Sequence, residues 1–265
     1  MTDPFVRLPI TAWREGESHR VEAELPSEHE LSIRLDGSNL VTLLCLPTQM
    51  QELVVGFLHA EGFIRSKNDL ASLVLNSGPE ASMASVRRRG TASARPDPGK
   101  TSWILATGCG GSLTLSRPEN RKASDEISCE ERLQPDIFYR LMADMSSRAE
   151  TYKRTGGLHS AALADRSGRI LFMAEDIGRH NAADKVNGAR LLADEAPEPL
   201  ILVTTGRITS EICWKALRMK SPWVASPSTT SSRAQELAAE SGITLVGSIR
   251  GRRLKVYSHA WRVQV

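Results

Sequence analysis

The second half of the chain alternates between apolar runs of strand length and amphipathic segments of helix length. A helical pattern is followed by a strand, turn and strand over 159–175, and then by a helix that Asn181 caps and that ends near Ala193. Residues 200–258 repeat strand and helix in turn. Strands that alternate with helices form crossover units with helices on both faces of the sheet. The pattern predicts an α/β fold with a mixed, mostly parallel sheet over residues 135–265.

The first 134 residues predict a smaller α+β domain that precedes this sheet. The segments ELSIRL and LVTLLCL flank DGSN, which is a typical hairpin turn. The helix that follows has Thr48 and Gln51 at the spacing of a capping box and Gly62 as its stop. We therefore expect two domains, 1–134 and 135–265.

Two polar stretches interrupt the first domain. Residues 76–101 are rich in Ser, Ala, Gly, Pro and Arg, a composition typical of a loop. Residues 116–134 are polar and predict a mobile linker. Between the two stretches, SWILAT predicts a short strand that leads directly towards Cys109.

The composition of the whole chain argues against several classes of protein. With 40% hydrophobic and 25% charged residues it is typical of a soluble globular protein, and a net charge of +3 does not indicate a nucleic-acid partner. The chain shows no signal-peptide pattern and no apolar run of membrane-spanning length. Its cysteines, Cys45, Cys109, Cys129 and Cys213, form no C-x-x-C pair. We expect a cytoplasmic protein with free thiols, away from membranes and nucleic acids.

Cys109 stands among three glycines at the end of an apolar run, in LATGCGGSL, residues 105–113. Gly-Cys-Gly-Gly favours neither strand nor helix, so the backbone is predicted to turn there and to leave the sulfur accessible. The alternative is a buried free cysteine that ends a strand, which is the commoner fate of a cysteine in a globular protein. The local sequence alone leaves both interpretations open.

Three loops of the second half combine Gly, Ser or Thr with Arg or His. They lie at 175–185, 204–211 and 226–233, each after a predicted strand. In a parallel sheet such loops meet beside helix N-termini, where phosphate groups bind. The candidate ligand-binding residues there are Arg179, His180, Gly206, Arg207 and Ser228. Helix capping, by Asn181 and Thr209 among others, is the alternative role for the polar side chains.

Two further motifs allow more than one interpretation. The turn RGRR at 250–253 adds three guanidinium groups near these loops, although a solvated hairpin turn explains it equally well. His59 and Glu61 form H-x-E, half of the signature of zinc deaminases. The other half, P-C-x-x-C, is absent from the sequence, so we predict a packing or surface role for His59 and no tightly bound metal.

Several motifs in a fixed order make the chain similar to a known family. GGLHSAAL, EDIGRHNAADKV, GRITSEICWKA and LKVYSH, with ELVVGFLHAEGFI and TGCG before them, resemble the FdhD/NarQ family of formate dehydrogenase accessory sulfurtransferases. The resemblance extends from about residue 20 to residue 260. It implies a cytidine-deaminase-like, three-layer αβα domain in the second half, without the metal-binding residues of true deaminases.

The resemblance also implies a function. A cysteine desulfurase would load sulfane sulfur on Cys109 as a persulfide. The sulfur would then pass to the molybdenum of bis-molybdopterin guanine dinucleotide, the substrate of this step and the cofactor of formate dehydrogenase. The family's loop reads T-G-C-G-x-C-G, and Ser112 stands where its second cysteine would be. A non-catalytic chaperone that binds the molybdenum cofactor is therefore the alternative, and a zinc-dependent deaminase is the third function considered.

A match to the family's VYSH motif assigns one segment to the guanine dinucleotide. Its residues are Ser248, Ile249, Arg250, Gly251, Arg252 and Arg253. Because the cofactor carries two dinucleotide arms, we expect a symmetric homodimer with one site per subunit. The implied partners are a cysteine desulfurase, the catalytic subunit of formate dehydrogenase and a second copy of the chain.

Overall fold

The computed structural model describes residues 3–90, 103–105, 126–193 and 200–264. The helices are α1 (Met50–Ala60), α2 (Pro135–Arg148), α3 (Glu150–Thr155), α4 (Arg179–Leu192), α5 (Ser210–Arg218) and α6 (Ser232–Glu240). The strands are β1 (Phe5–Arg14), β2 (Glu17–Pro26), β3 (His29–Leu35), β4 (Ser38–Cys45), β5 (Leu70–Ser77), β6 (Ala81–Arg88), β7 (Trp103–Leu105), β8 (His159–Ala164), β9 (Ile170–Asp176), β10 (Ile201–Thr204), β11 (Trp223–Ala225), β12 (Thr244–Arg250) and β13 (Arg253–Val256).

A six-stranded sheet forms the centre of the second half, in the order β13-β12-β11-β10-β8-β9. Only the pairings β10–β11 and β11–β12 are parallel, whereas β8, β9 and β13 join through antiparallel pairings. The sheet is mixed, as expected, but the prediction of a mostly parallel sheet is wrong. The reason is that β8–β9 and β12–β13 are hairpins whose strands pair antiparallel, and the crossover through α4 connects β9 to β10, which are separated by β8 in the sheet.

Helices cover both faces of this sheet, which gives three layers. On one face, α2 packs through Phe138, Leu141 and Met145 against strand residues that include Trp223. On the other face, α4, α5 and α6 bury small and branched side chains such as Ile212. The buried runs of β10 and β11 therefore contact helices on both sides, as their continuous apolar sequences predict.

A five-stranded sheet in the order β5-β6-β3-β4-β7 forms the first half. The DGSN hairpin between β3 and β4 is confirmed, with Asp36 and Gly37 both at positive φ. The α1 helix packs on one face of this sheet through residues such as Leu53 and Phe57. Residues 76–101 were expected to form a loop, but β6 lies within them. Although the side chains of β6 are mostly short Ser and Ala, the strand still buries Ala84 in the core.

The two halves meet where α1 crosses α4, and two glycines allow the helices to approach closely. A Cβ atom on Gly56 of α1 would lie 1.8 Å from the carbonyl oxygen of Asp184 in α4. In the reverse direction, a Cβ atom on Gly188 of α4 would lie 1.8 Å from the carbonyl oxygen of Glu52 in α1. No other side chain fits at either position without moving one backbone.

Three predicted helix caps are wrong, and so is the linker predicted over 116–134 in the part that the structure describes, residues 126–134. Gln49 precedes α1 with no side-chain cap, so the proposed box of Thr48 and Gln51 does not form. Asn181 lies inside α4, which begins two residues earlier, and Thr209 precedes α5 without a capping hydrogen bond. Within the stretch assigned to a linker, residues 127–133 bond to the backbone of the second half. Thr48, Asn181 and residues 127–133 have tertiary hydrogen-bond partners instead of local ones.

The chain begins with a two-stranded antiparallel sheet, β1–β2, which the sequence analysis did not locate. Glu24 of β2 joins this sheet to α3, because Arg154 donates two hydrogen bonds of 2.7 and 2.8 Å to its carboxylate. Hydrogen bonding to Arg154, and then to Arg7, lowers the pKa of Glu24 to about 2. The guanidinium of Arg154 also lies over the ring of Phe5.

Candidate functional site

Several loops meet at one edge of the six-stranded sheet, which we call the carboxyl edge: residues 176–180, 204–209, 226–231 and 248. The strands β10, β11 and β12 end there because they run parallel. The strand β9 also ends there, because β8 is antiparallel to both β9 and β10. The structure therefore brings together the three loops that the sequence singled out for phosphate binding.

Hydrogen bonds connect three of these segments, 204–209, 226–231 and 248. Oγ of Ser226 donates to the carbonyl oxygen of Gly206 at 2.7 Å. The backbone N–H of Ser248 donates to the carbonyl oxygen of Ser228, also at 2.7 Å. Ser226 additionally accepts a 3.0 Å hydrogen bond from the N–H of Ser228. The hydroxyl-rich loop at 226–231 is thus fixed between the loop after β10 and the bulge in β12.

The first turn of α4 lies against the loop that follows β10. The side chain of Arg179 crosses directly over Gly206, where a Cβ atom would lie 2.7 Å from Cδ of the arginine. A larger residue at position 206 would therefore force the Arg179 side chain to shift. Arg207, the next residue, is exposed on the same loop.

His180 is enclosed at the N-terminus of α4, with 18% of its side chain exposed. Its Nε2 atom lies 3.2 Å from Oε2 of Glu211, although the two groups are not aligned for a hydrogen bond. Burial, followed by the positive charges of Lys215 and Arg179, lowers the pKa of His180 to about 2. At neutral pH the imidazole is uncharged, so it offers one donor and one acceptor nitrogen.

Several buried polar atoms at the carboxyl edge have no hydrogen-bond partner among the described residues. They are Nε of Arg179, both ring nitrogens of His180 and Oγ1 of Thr209. Neither α4 nor α5 has a side-chain cap, so the first N–H groups of both helices also point towards this edge. Donors and helix N-termini in this arrangement suit an anionic group such as phosphate.

His159 is a further residue at this edge that the sequence analysis did not single out. Its Nδ1 atom lies 3.2 Å from Oγ1 of Thr205. Burial, and then the nearby charge of Arg179, lowers its pKa. Its position at the start of β8 was the signal that could have found it. Because β8 is antiparallel to β9 and β10, the first residue of β8 lies at the edge where those two strands end.

The segment 248–253 divides into a bulge and an exposed turn. Arg250, Gly251, Arg252 and Arg253 are exposed in the turn between β12 and β13. Arg252 lies 3.1 Å from the carboxylate of Asp136 in α2. Ile249 is buried in the core, and its N–H bonds to the backbone of the 226–231 loop, so its side chain packs within the protein instead of facing a ligand.

Two of the four cysteines are unsuited to carry transferable sulfur. Cys45 in β4 and Cys213 in α5 are fully buried, and burial raises the pKa of each thiol to about 12. Cys129 is half-buried in the segment that precedes α2. Cys109 and Ser112 lie outside the described residues, so their predicted roles stay predictions.

The strand that leads towards Cys109 is described, and it ends near α4. Leu105 of β7 lies opposite Leu43 in the parallel pairing with β4. One residue further along β4, the carbonyl oxygen of Leu44 accepts a 2.8 Å hydrogen bond from Asn181. Residue 181 is only two positions beyond the arginine at the carboxyl edge, so β7 and β4 both run towards the first turn of α4.

A buried ion pair connects α4 to the β4–α1 connection. Nζ of Lys185 lies 2.7 Å from Oδ2 of Asp176, and both side chains are fully buried. The lysine also donates to the carbonyl oxygen of Leu46 at 3.0 Å and to Oγ1 of Thr48 at 3.3 Å. The aspartate accepts from the N–H of Leu46 and from the amide of Asn181. Every group in this network is bonded.

His59 belongs to the packed interior between α1 and α4. Its Nδ1 atom lies 3.0 Å from the amide nitrogen of Asn187, and burial lowers its pKa to about 3. Across the described ranges, no group of three or more His, Cys, Asp or Glu is placed to hold a metal ion. None of the helices in those ranges is long and apolar enough to cross a membrane.

Taken together, this is a mixed α/β protein whose six-stranded sheet presents a cluster of donors at one edge. Comparison with known proteins gives a more specific answer. The model of the FdhD/NarQ family matches residues 26–264, and the chain belongs to that family.

Relatives and a solved structure agree with this assignment. The sulfur carrier protein FdhD of Bacillus subtilis (strain 168) is 32% identical over 254 residues, which are 95% of each chain. The protein of the same name from Geobacillus kaustophilus (strain HTA426) is 34% identical over 97% of this chain and 96% of its own. A crystal structure titled as a formate dehydrogenase accessory protein, from Desulfotalea psychrophila, has a TM-score of 0.79 at 23% identity over 99% of this chain and 100% of that one. That structure shows that the two proteins share a fold.

Proposed function

We propose that this protein is a sulfur carrier that serves the maturation of formate dehydrogenase. The observation that carries the proposal is that relatives matching nearly the whole chain are named sulfur carrier protein FdhD. In this proposal a cysteine desulfurase supplies the sulfur, and the acceptor is the molybdenum of bis-molybdopterin guanine dinucleotide, bound as a substrate. The protein acts as a sulfurtransferase through a persulfide on Cys109.

The described cysteines support the choice of Cys109. Only the thiolate form of a cysteine attacks a persulfide. Burial encloses Cys45 and Cys213 and raises the pKa of both thiols, so both stay protonated. Chain geometry gives further support, because Cys109 is four positions beyond Leu105 and four residues of backbone span at most about 14 Å. The backbone of Cys109 is therefore tethered within that distance of the end of β7, the strand that runs towards α4.

The loading step requires one nucleophile and no redox partner. The thiolate of Cys109 attacks the terminal sulfur of the desulfurase persulfide, and a new S–S bond forms while the old one breaks. The desulfurase cysteine leaves as a thiolate and takes up a proton, and the carrier retains the sulfur as Cys109–S–SH. The balance of atoms and electrons is complete without a second thiol in this chain, in agreement with Ser112 at the position of the family's second cysteine.

Intact-mass analysis after incubation with a desulfurase and cysteine tests this step. The chain should gain ~32 Da, and peptide mapping should place the added sulfur on the Cys109 peptide. Cys109→Ala should abolish the gain, while the matched control Cys129→Ala should retain it. Equal labelling of Cys109→Ala and the parent would refute the assignment of the carrier residue.

We further propose that the guanine dinucleotide arms bind along the carboxyl edge and the 250–253 turn. The buried nitrogen atoms of Arg179 and His180 and the uncapped N-termini of α4 and α5 support a phosphate there. Charge-assisted hydrogen bonds from these groups contribute about 1.5–3 kcal/mol each before desolvation and ordering costs. Gly206, Arg207 and Ser228 lie on the adjoining loops.

Binding of GDP, as a stand-in for one arm, tests this site. The triple variant Arg250→Ala, Arg252→Ala and Arg253→Ala should bind GDP more weakly than the parent, whereas sulfur loading on Cys109 should be little changed. Equal GDP affinity in the two proteins would place the site elsewhere.

A second function is favoured by one observation, the serine at position 112. A chaperone that binds the molybdenum cofactor without moving sulfur would not need the family's second cysteine. GDP binding without any persulfide on Cys109 would support this alternative. Ser112→Cys should leave loading intact, and a large gain in formate dehydrogenase activation by that variant would show that the natural protein works differently.

The remaining parts of the proposal concern partners, assembly and architecture. We propose a cytoplasmic homodimer with one site per subunit, which contacts the desulfurase and the catalytic subunit of formate dehydrogenase in turn. We also propose that β8–β13, with their helices, form the cytidine-deaminase-like unit that the family resemblance implies. The order of strands and helices from residue 135 supports this comparison.

A further inference from the structure

The carboxyl edge contains a backbone irregularity at Ser248. The pairing between β12 and β13 shifts by one residue after Gly247, so that Ser248 and Ile249 on β12 face Leu254 on β13. Ser248 has a φ of 54°, in the left-handed region. Glycine is the residue that usually occupies the left-handed position of this type of bulge, because any side chain there is strained. Some contact must therefore favour this conformation of the serine.

Tyr257 makes that contact. Its phenolic oxygen lies 3.1 Å from Oγ of Ser248 and 3.4 Å from Oγ1 of Thr229. Its ring packs on Gly247, where a Cβ atom would lie 2.9 Å from Cε2 of the tyrosine. The hydrogen bonds from these two hydroxyls lower the pKa of Tyr257, which agrees with a phenol that is engaged on both sides. One hydroxyl group thus connects the bulge in β12 with the 226–231 loop.

We infer that Tyr257 is a positioning residue whose hydroxyl holds Ser248 in its left-handed conformation and thereby fixes the 226–231 loop and the 250–253 turn for nucleotide binding. The inference rests on the proposed function, since it uses the same nucleotide site. The ring alone would cover Gly247 without fixing Ser248. The phenolic oxygen is therefore the group to remove.

A pair of substitutions in two backgrounds tests the inference on the full chain, with GDP as the probe. Tyr257→Phe keeps the ring and should weaken GDP binding about 3- to 10-fold, the loss expected for one hydrogen bond. Glycine adopts a positive φ without help, so in a Ser248→Gly background the same tyrosine substitution should change the affinity less than about twofold. An equal loss in both backgrounds, or no loss in the parent background, would overturn the inference.

Amide hydrogen exchange of the free protein gives a readout that needs no nucleotide. The N–H of Ser248 donates a 2.7 Å hydrogen bond to the carbonyl oxygen of Ser228, so its protection reports on the bulge. Tyr257→Phe should lower this protection, and should not lower it in the Ser248→Gly background. Unchanged protection in Tyr257→Phe overturns the inference even if the parent binds GDP. Lost protection in a chain that fails to bind GDP supports the role of Tyr257 and refutes the proposed nucleotide site instead.

Discussion

Helix α4 carries two groups of polar side chains, and the described residues satisfy them very differently. Towards the β4–α1 connection, Asn181 and Lys185 bond to Asp176 and to the backbone of the first half. In the first turn of the same helix, buried nitrogen atoms of Arg179 and His180 have no hydrogen-bond partner in the described ranges. The two groups lie within seven residues of one another; Asn181 and Lys185 are buried, and Arg179 and His180 are half-buried.

The difference separates structural polar residues from residues that await a ligand. Buried polar groups in proteins are nearly always hydrogen-bonded, since leaving one unpaired costs free energy. A complete network such as Asp176–Lys185 is therefore explained by the fold alone. The group at Arg179 and His180 lacks hydrogen-bond partners among the described residues, and an anionic ligand would supply them. Substitutions on the two sides should accordingly affect different properties.

Removal of the buried lysine should have the largest effect. Lys185→Met leaves the carboxylate of Asp176 buried without its counter-charge, so we expect a loss of about 3–5 kcal/mol in the free energy of unfolding. Urea denaturation followed by circular dichroism measures this loss. The matched control is Arg179→Met on the same helix, which keeps the carbon chain over Gly206. It should change stability by less than about 1 kcal/mol and weaken GDP binding. Equal destabilisation of the two variants would contradict the distinction.

The second expected effect is a dependence of stability on pH that comes from Asp184. This side chain lies 2.6 Å from Nζ of Lys215, and burial, opposed by that lysine, raises the pKa of Asp184 from 3.8 to about 6. Between about pH 4 and pH 6 the folded chain therefore holds a proton that the unfolded chain has lost. The contribution of Asp184 to stability falls as the pH rises through this window.

The variant Asp184→Asn cannot ionise and should lack this fall. Relative to the variant, the parent should lose at most about 3 kcal/mol of unfolding free energy, most of it between pH 4 and pH 6, and the loss should level off about one pH unit above the folded-state pKa. Unfolding curves recorded at several pH values measure the difference in slope. Parallel pH profiles for the two proteins would show that Asp184 ionises normally in the fold.

The third effect concerns the contact between α1 and α4, on the side of α4 where the polar side chains are hydrogen-bonded. Gly188→Ala places a methyl group against the backbone of α1, so the two helices must separate, at a cost of about 1–3 kcal/mol. Gly56→Ala should cost a similar amount. Once either alanine has separated the helices, the other adds less, so the double variant should cost less than the sum of the two. Additive costs, measured by urea denaturation, would show that the two contacts are independent.

The sequence predicts elements better than it predicts the partners of polar side chains. Continuous apolar runs locate β10 and β11, and the DGSN turn locates the β3–β4 hairpin, because these signals are local. Parallel or antiparallel pairing depends on which strands become neighbours, so the mixed sheet was only partly anticipated. The caps assigned to Thr48 and Asn181 failed for the same reason, since both side chains bond across the interface between the halves.

The candidate site shows the same division. The loops that contain Arg179, Gly206 and Ser228 could be predicted from their position after strands, because strand direction brings them to one edge. His159 and Tyr257 could not be predicted in this way. His159 reaches the edge through an antiparallel pairing of β8. Tyr257 follows β13, which pairs antiparallel with β12, and the tyrosine hydroxyl therefore contacts the bulge at Ser248.

The smallest expected effect is a change in the environment of one imidazole, and it compares the two sides of α4 directly. Burial lowers the pKa of His180 to about 2 and that of His59 to about 3, so neither ring should titrate between about pH 5.5 and pH 8. A phosphate at the carboxyl edge would favour the charged form of His180 and raise its pKa. His59, which contacts Asn187 in the packed interior, should not respond.

Proton NMR of the histidine C–H resonances measures both rings during a titration with GDP. The resonance of His180 should move and that of His59 should stay, and Arg179→Met should require more GDP for the same movement. Equal movement of both resonances, or a ring of His180 that titrates near pH 6.5 in the free protein, would remove the distinction between the two sides of the helix.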